Sequence, residues 1–244
     1  MLPDLKNWHD YFVKNYLNTG DFAWHTGDRL TPEEKRCVEK SIATFQLGEY
    51  SEGRGLLKSA ERFAQKCGDQ YLVRITRLFI AEEQNHALLL MKFMDHHGLK
   101  TIKRNWTDAV FRRLRKNVGF ELSITVLITA EIIALVYYDA LRGSTRSGLL
   151  RKICGKILDD ETAHVKYESE LLNSVRWAKP AVLRYAVKLL HRFLFVGTVA
   201  VVYLSHRKVL TRGGYDFARF AAACWLEFSA CFPSALVVRA SANA

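Results

Sequence analysis

At 244 residues, 49% hydrophobic and 25% charged, the chain can bury one substantial core, and no compositional shift divides it, so a single domain over 1–244 is expected. That balance excludes disordered and collagen-like classes, and five cysteines at 37, 67, 154, 224 and 231, odd in number and without a CxxC pair, exclude a disulfide framework or zinc ribbon and favour a reducing cytoplasm. The net charge of +11 raises phosphate-bearing partners, but the densest basic run, Arg112, Arg113, Arg115 and Lys116, is short and reads as a solvated helix face, so nucleic acid is not expected.

The opening residues lack a basic start followed by an apolar core, so no signal peptide is expected. A first amphipathic helix is predicted over about Asp4–Leu17, with Leu5, Trp8, Tyr11, Phe12 and Tyr16 at helical spacing, laid as an accessory across the outside of the main body. Thr31-Pro32-Glu33-Glu34 supplies a hydroxyl N-cap, a proline at the first helical position and a capping-box glutamate. The helix it starts is predicted to run to about Lys66, with Gly68 as the stop. Gly48, Gly53 and Gly55 inside it imply close packing or a local distortion.

A second long helix is predicted over about Asp69–His97, stopped by Gly98, with Leu72, Ile75, Leu78, Phe79, Leu88, Leu89 and Phe93 as apolar positions. The third covers about Thr107–Arg142, with a break near Gly119, and the fourth about Ser144–Val175. Four long helices with short joins predict an all-α bundle over about 31–176. Two further apolar segments, about Ala181–Ser205 and Tyr215–Cys231, form a helical extension over about 177–235. Their plain reading is helices laid against the bundle; the sharper one is a wall for an apolar substrate pocket. The longest apolar stretch, Phe193–Ser205, is too short to span a bilayer and is expected to be a buried helix.

The chemistry lies in acids placed among apolar residues. Glu131 is the only charge from Ile124 to Tyr138, and an unpaired carboxylate there would cost several kcal/mol, roughly a small protein's whole stability margin. Two partners share one spacing: Glu83-Gln84-Asn85-His86 and Glu161-Thr162-Ala163-His164. Each sets an oxygen and an imidazole on one helix face. Glu131 precedes Glu161 by 30 residues and Glu52 precedes Glu83 by 31, so the two halves look like a repeat of paired antiparallel helices.

Helix glutamate, ExxH, helix glutamate, ExxH resembles the ferritin-like diiron-carboxylate proteins, including ferritins, rubrerythrins and bacterial diiron oxygenases, over about residues 40 to 170. The resemblance implies a ferritin-like four-helix bundle holding two iron ions, or one manganese and one iron. It makes Glu83 and Glu161 bridging carboxylates, gives His86 and His164 one metal each, and makes Glu52 and Glu131 the outer carboxylates. Glu49, on the same face as Glu52, resembles the Gly-Glu of rubrerythrin-like helices; either or both bind, with Glu52 preferred on spacing. Acids at the positions of Glu82 and Asp160 hydrogen-bond the far nitrogen of the other motif's histidine in several such enzymes. Oxygen-rich ligation with one nitrogen per metal suits iron or manganese.

Three chemical outcomes are open to such a centre. Oxidation of an organic substrate by dioxygen ranks first because the two C-terminal helices enlarge the chain beyond a minimal cage-forming bundle; the sequence does not reveal the substrate, and an apolar one is open. Rubrerythrin-like peroxidase or ferroxidase activity ranks second, reduced because no CxxC pairs would hold a rubredoxin iron, so the electron donor is a separate protein. The third is a non-enzymatic basic protein docking on membranes or acidic partners. Peripheral membrane contact and self-association stay open. Tyr50, Tyr137 and Tyr138 are expected as core or rim tyrosines, with a redox role as the sharper alternative, and His96 and His97 as helix-closing cations.

Overall fold

The computed structural model describes residues 2–24, 27–50, 53–105 and 118–232, and all regular structure in them is helical. In chain order the helices are α1 (Leu5–Tyr16), α2 (Pro32–Glu49), α3 (Arg54–Cys67), α4 (Tyr71–His96), α5 (Phe120–Gly143), α6 (Gly148–Trp177), α7 (Ala181–Arg212) and α8 (Phe217–Cys231).

Local chemistry starts α2 as the sequence implies. The Thr31 hydroxyl accepts from Glu34 N–H, the Glu34 carboxylate accepts from Thr31 N–H, and Pro32 takes the first turn. Glu34 does more than close this box. Buried at the head of α2, it also accepts from Arg146 N–H at 2.8 Å, so it ties α2 to the connection between α5 and α6. That connection ends in Ser147, whose hydroxyl caps α6 by accepting from Leu150 N–H.

The single helix expected over Thr31–Lys66 is two helices. α2 stops at Glu49, and α3 restarts after Gly53, which has φ +60°. A side chain at Gly53 would be strained at that φ and would collide with Ile80 of α4, so packing of α3 on α4 requires glycine there. The break expected near Gly119 is the N-terminus of α5, and residues 106–117, including Arg112, Arg113, Arg115 and Lys116, lie outside the described residues. α7 runs seven residues beyond the expected Ser205, and Leu88, expected in the core, is half exposed.

α5 is the centre of the molecule. It is apolar nearly all round and packs most extensively against α6, with α7, α3 and α8 on its other sides. α4 packs on α2, α1, α3 and α6, so α2, α4, α5 and α6 share one core. α1 lies across α4 and α6: Phe12 is fully buried, and Trp8 Nε1 donates to Glu170 at 2.8 Å. α7 is anchored from inside. His206 Nδ1 is 2.7 Å from the Ser41 hydroxyl of α2, and His191 Nε2 is 3.1 Å from the Thr129 hydroxyl of α5. By length and composition, α5 and α7 would each suffice to cross a membrane; α5 is mostly enclosed by protein, whereas α7 buries one face.

Candidate metal centre

Glu83 and His86 of α4, Glu131 of α5, and Glu161 and His164 of α6 converge in the core, joined by Glu49 from the last residue of α2. They form two overlapping groups. Glu49, Glu83, His86 and Glu161 make one; Glu83, Glu131, Glu161 and His164 make the other, and in each the ligand atoms lie within 4.8 Å of one another. Glu83 and Glu161 belong to both, while each group has one histidine and one carboxylate of its own.

Helical spacing accounts for this convergence. The i,i+3 relation in α4 and α6 turns each glutamate and histidine to the same side. The two glutamates then meet between the imidazoles: Glu83 Oε1 lies 3.5 Å from His86 Nδ1 and 3.2 Å from His164 Nδ1. Glu161 approaches the same nitrogens, at 3.4 Å from His86 and 3.3 Å from His164.

The far side of each ring is held crosswise. His86 Nε2 donates to Asp160 of α6 at 2.9 Å, and His164 Nε2 donates to Glu82 of α4 at 2.8 Å. Each acid thus grips the histidine of the opposite helix, which fixes the rings with Nδ1 aimed at the carboxylates. Asp160 is itself secured by Asn15 of α1 at 2.8 Å and by Lys156 one turn earlier. Phe12 stacks on His164 and Phe79 packs against it, so its ring has little freedom. Tyr138 donates to Glu49 at 2.7 Å across the α2–α5 contact.

Charges in this centre balance by protonation. Burial, then the carboxylates of Glu83 and Glu161, pushes Glu49 and Glu131 well above the usual carboxylate range. Burial opposes charge on His86 and His164 as well, but hydrogen bonds to the acids around them outweigh it and raise both well above the ordinary imidazole value. Burial acts likewise on Glu83 and Glu161, where the histidines reverse it and hold both carboxyls low. Without metal, two imidazoliums therefore face two carboxylates, with two neutral carboxylic acids beside them.

Among the residues singled out by sequence, Glu52 lies outside the described residues. Its preference over Glu49 assumed an unbroken helix, and α2 ends at Glu49. Glu49 is the α2 acid brought into the cluster. Tyr50 is exposed, whereas Tyr137 and Tyr138 are buried, Tyr137 against Phe45 and the Ser41 hydroxyl. His97 is buried on Phe93 rather than displayed at the helix end. Asn15 and Lys156 were missed. Lys156 carried a signal in its i,i+4 relation to Asp160; Asn15, 145 residues away, carried none.

A cavity of about 150 Å³ opens beside the cluster. Glu49, Glu83 and Glu131 reach its edge, and its mostly apolar walls include Val126, Leu127 and Ala134 of α5 and Val201 and Val202 of α7. α7 is therefore both a helix laid against the core and a cavity wall.

No family model, curated protein or solved structure matches the chain. Its chemistry is therefore read from its own side chains.

Proposed function

We propose that the chain is a ferritin-like diiron-carboxylate oxidoreductase that uses dioxygen to oxidise an apolar organic substrate. The observation that carries this reading is the pair of overlapping ligand groups, in which Glu83 and Glu161 are common to both and each group adds one histidine and one outer carboxylate.

The donor set fits two iron ions. Glu83 Oε1, Glu161 Oε1 and His86 Nδ1 are buried and make no hydrogen bond among the described residues, although they face one another. Four carboxylates would balance two divalent cations, and the crosswise bonds from Asp160 and Glu82 leave both Nδ1 atoms for ligation. Oxygen-rich donors with one nitrogen per ion suit an iron pair or an iron–manganese pair. Bound there, the metal pair would supply the electrons that reduce dioxygen.

The remaining work belongs to the chain. Glu83 and Glu161 would hold both ions, with His86 and Glu49 on one and His164 and Glu131 on the other. Tyr138 holds Glu49 in place through its hydroxyl. The aliphatic walls on α5 and α7 would seat an apolar substrate against the edge formed by Glu49, Glu83 and Glu131 and exclude water. That cavity favours an organic substrate over iron storage or peroxide removal. The five free thiols suit a reducing cytoplasm, and electrons would come from a separate donor protein.

Elemental analysis of wild type and Glu161→Gln tests the centre. About two metal ions per chain are expected in the wild type, with loss of both in the variant, because Glu161 serves both groups. Wild type that is metal-free and takes up no iron(II) anaerobically would refute it. Oxygen consumption that rises with apolar substrates supports the oxygenase reading. Iron oxidation indifferent to them would identify a ferroxidase instead.

A further inference from the structure

The outer face of α7 faces solvent with side chains that soluble proteins bury. Val182, Tyr185, Leu189, Phe193, Val196 and Leu204 are all exposed, Phe193 at 69% and Leu204 at 75%. At about 100° per residue these positions fall on one side of the helix, over roughly six turns. The packed side is pinned to the core by His191, Phe195, Thr198 and His206. The helix therefore lies along the protein with an apolar strip facing outward.

The charges on α7 are of one sign. From Ala181 to Arg212 there is no Asp or Glu, while Arg184, Lys188 and Arg192, spaced four apart, wind from the packed side of the helix to the edge of the strip, reached at exposed Arg192, and Arg207 and Lys208 lie exposed at its far end. None of these five makes an ion pair with a carboxylate among the described residues. Burial first, then the neighbouring cations Arg176, Arg184 and Arg192, lowers the Lys188 pKa. Trp177, also exposed, sits under the Arg184 guanidinium at the start of the strip.

We propose that α7 is a docking surface for an anionic lipid bilayer, lying in the plane of the interface with its apolar strip among the acyl chains and its cations at the headgroups. An exposed apolar face edged by Lys and Arg, with aromatic residues near the polar boundary, is the pattern of a helix that lies on a membrane. The inward hydrogen bonds of His191 and His206 hold α7 lengthwise against α5 and α2, so the strip faces away from the bundle along its whole length. A second copy of the chain is a poorer occupant, since it would bring the same uncompensated cations to the contact. α7 also walls the cavity beside Glu49, Glu83 and Glu131, so the apolar substrate of the metal centre would be drawn from the lipid. Only that last consequence rests on the metal reading.

The test is flotation of the full chain, metal-free and iron-loaded in parallel, with phosphatidylcholine vesicles with and without phosphatidylglycerol. Both forms are expected to float with the anionic vesicles, weakly with the neutral ones, and less as salt rises. Phe193→Glu, with unchanged helical circular dichroism, is expected to lower binding at least about tenfold, as is the charge reversal Lys188→Glu with Arg192→Glu. Met91→Glu, which removes an exposed apolar residue on α4, is expected to bind as wild type. Failure to float with anionic vesicles overturns the proposal, as does equal binding by Phe193→Glu. So does a dimer in light scattering that Phe193→Glu dissociates while vesicle binding is absent.

Discussion

Loading the metal-free protein with two divalent ions is expected to release about four protons near neutral pH. Glu49 and Glu131 are held as carboxylic acids by burial and by the carboxylates beside them. His86 and His164 are held as imidazoliums by the acids around them, against the effect of burial. All four must lose a proton to become ligands, and Glu83 and Glu161 have none to lose. The combined affinity for two ions therefore falls steeply as pH is lowered, because protons compete with the ions for all four of these ligands. Anaerobic titration with iron(II) or manganese(II), by calorimetry in two buffers of different ionisation enthalpy, reads the proton count directly. Glu131→Gln should release about one proton fewer. Release of one proton or none on saturation of the wild type would refute the charge assignment, even if metal binds.

Individual contacts set the other expected outcomes. Asp160→Asn exchanges the acid that holds His86 Nε2 for a neutral amide and is expected to weaken metal binding about 10- to 100-fold, measured by competition with a chelator. Gly53→Ala must adopt a positive φ and displace Ile80, so thermal unfolding should show a loss of about 1–3 kcal/mol. His191 and His206 are depressed to about 3 and about 4, by burial first and then by Arg176 and Lys40 respectively. Both stay neutral in the fold while the unfolded chain takes up protons below about pH 6.5. Their contribution to stability is thus present above that value and is lost as pH falls toward 4. Between pH 7 and pH 5 the pair should lose about 4 kcal/mol. Urea unfolding of metal-free wild type against the double variant His191→Gln, His206→Gln reads that difference.

The chemistry was legible in the sequence where it depended on short-range spacing. Glu131 needed no structure to be noticed, because a carboxylate in a helix that is apolar nearly all round must find compensation. Glu83 with His86 and Glu161 with His164 share a face by helical periodicity alone, and Thr31 with Glu34 marks the head of α2 through four consecutive residues. The resemblance to diiron proteins supplied the idea that Asp160 and Glu82 bond the opposite motif's histidine, and the observed bonds have that crosswise pattern.

What periodicity could not decide lies between distant segments. The end of α2 at Glu49, and with it the entry of Glu49 into the cluster, accompanies the break that sets Gly53, at the head of α3, against Ile80 of α4. Asn15 reaches Asp160 across 145 positions, and His206 reaches Ser41 across 165. The cavity exists because α7 docks on α5 and α2 by one face, and that docking also leaves its other apolar face uncovered. Sequence by itself determined which residues carry charge into the core and which side of each helix they share, since those follow from a repeat of three to four residues. Only the tertiary structure decided which helices meet and what space remains between them, because side-chain packing across the whole chain sets both.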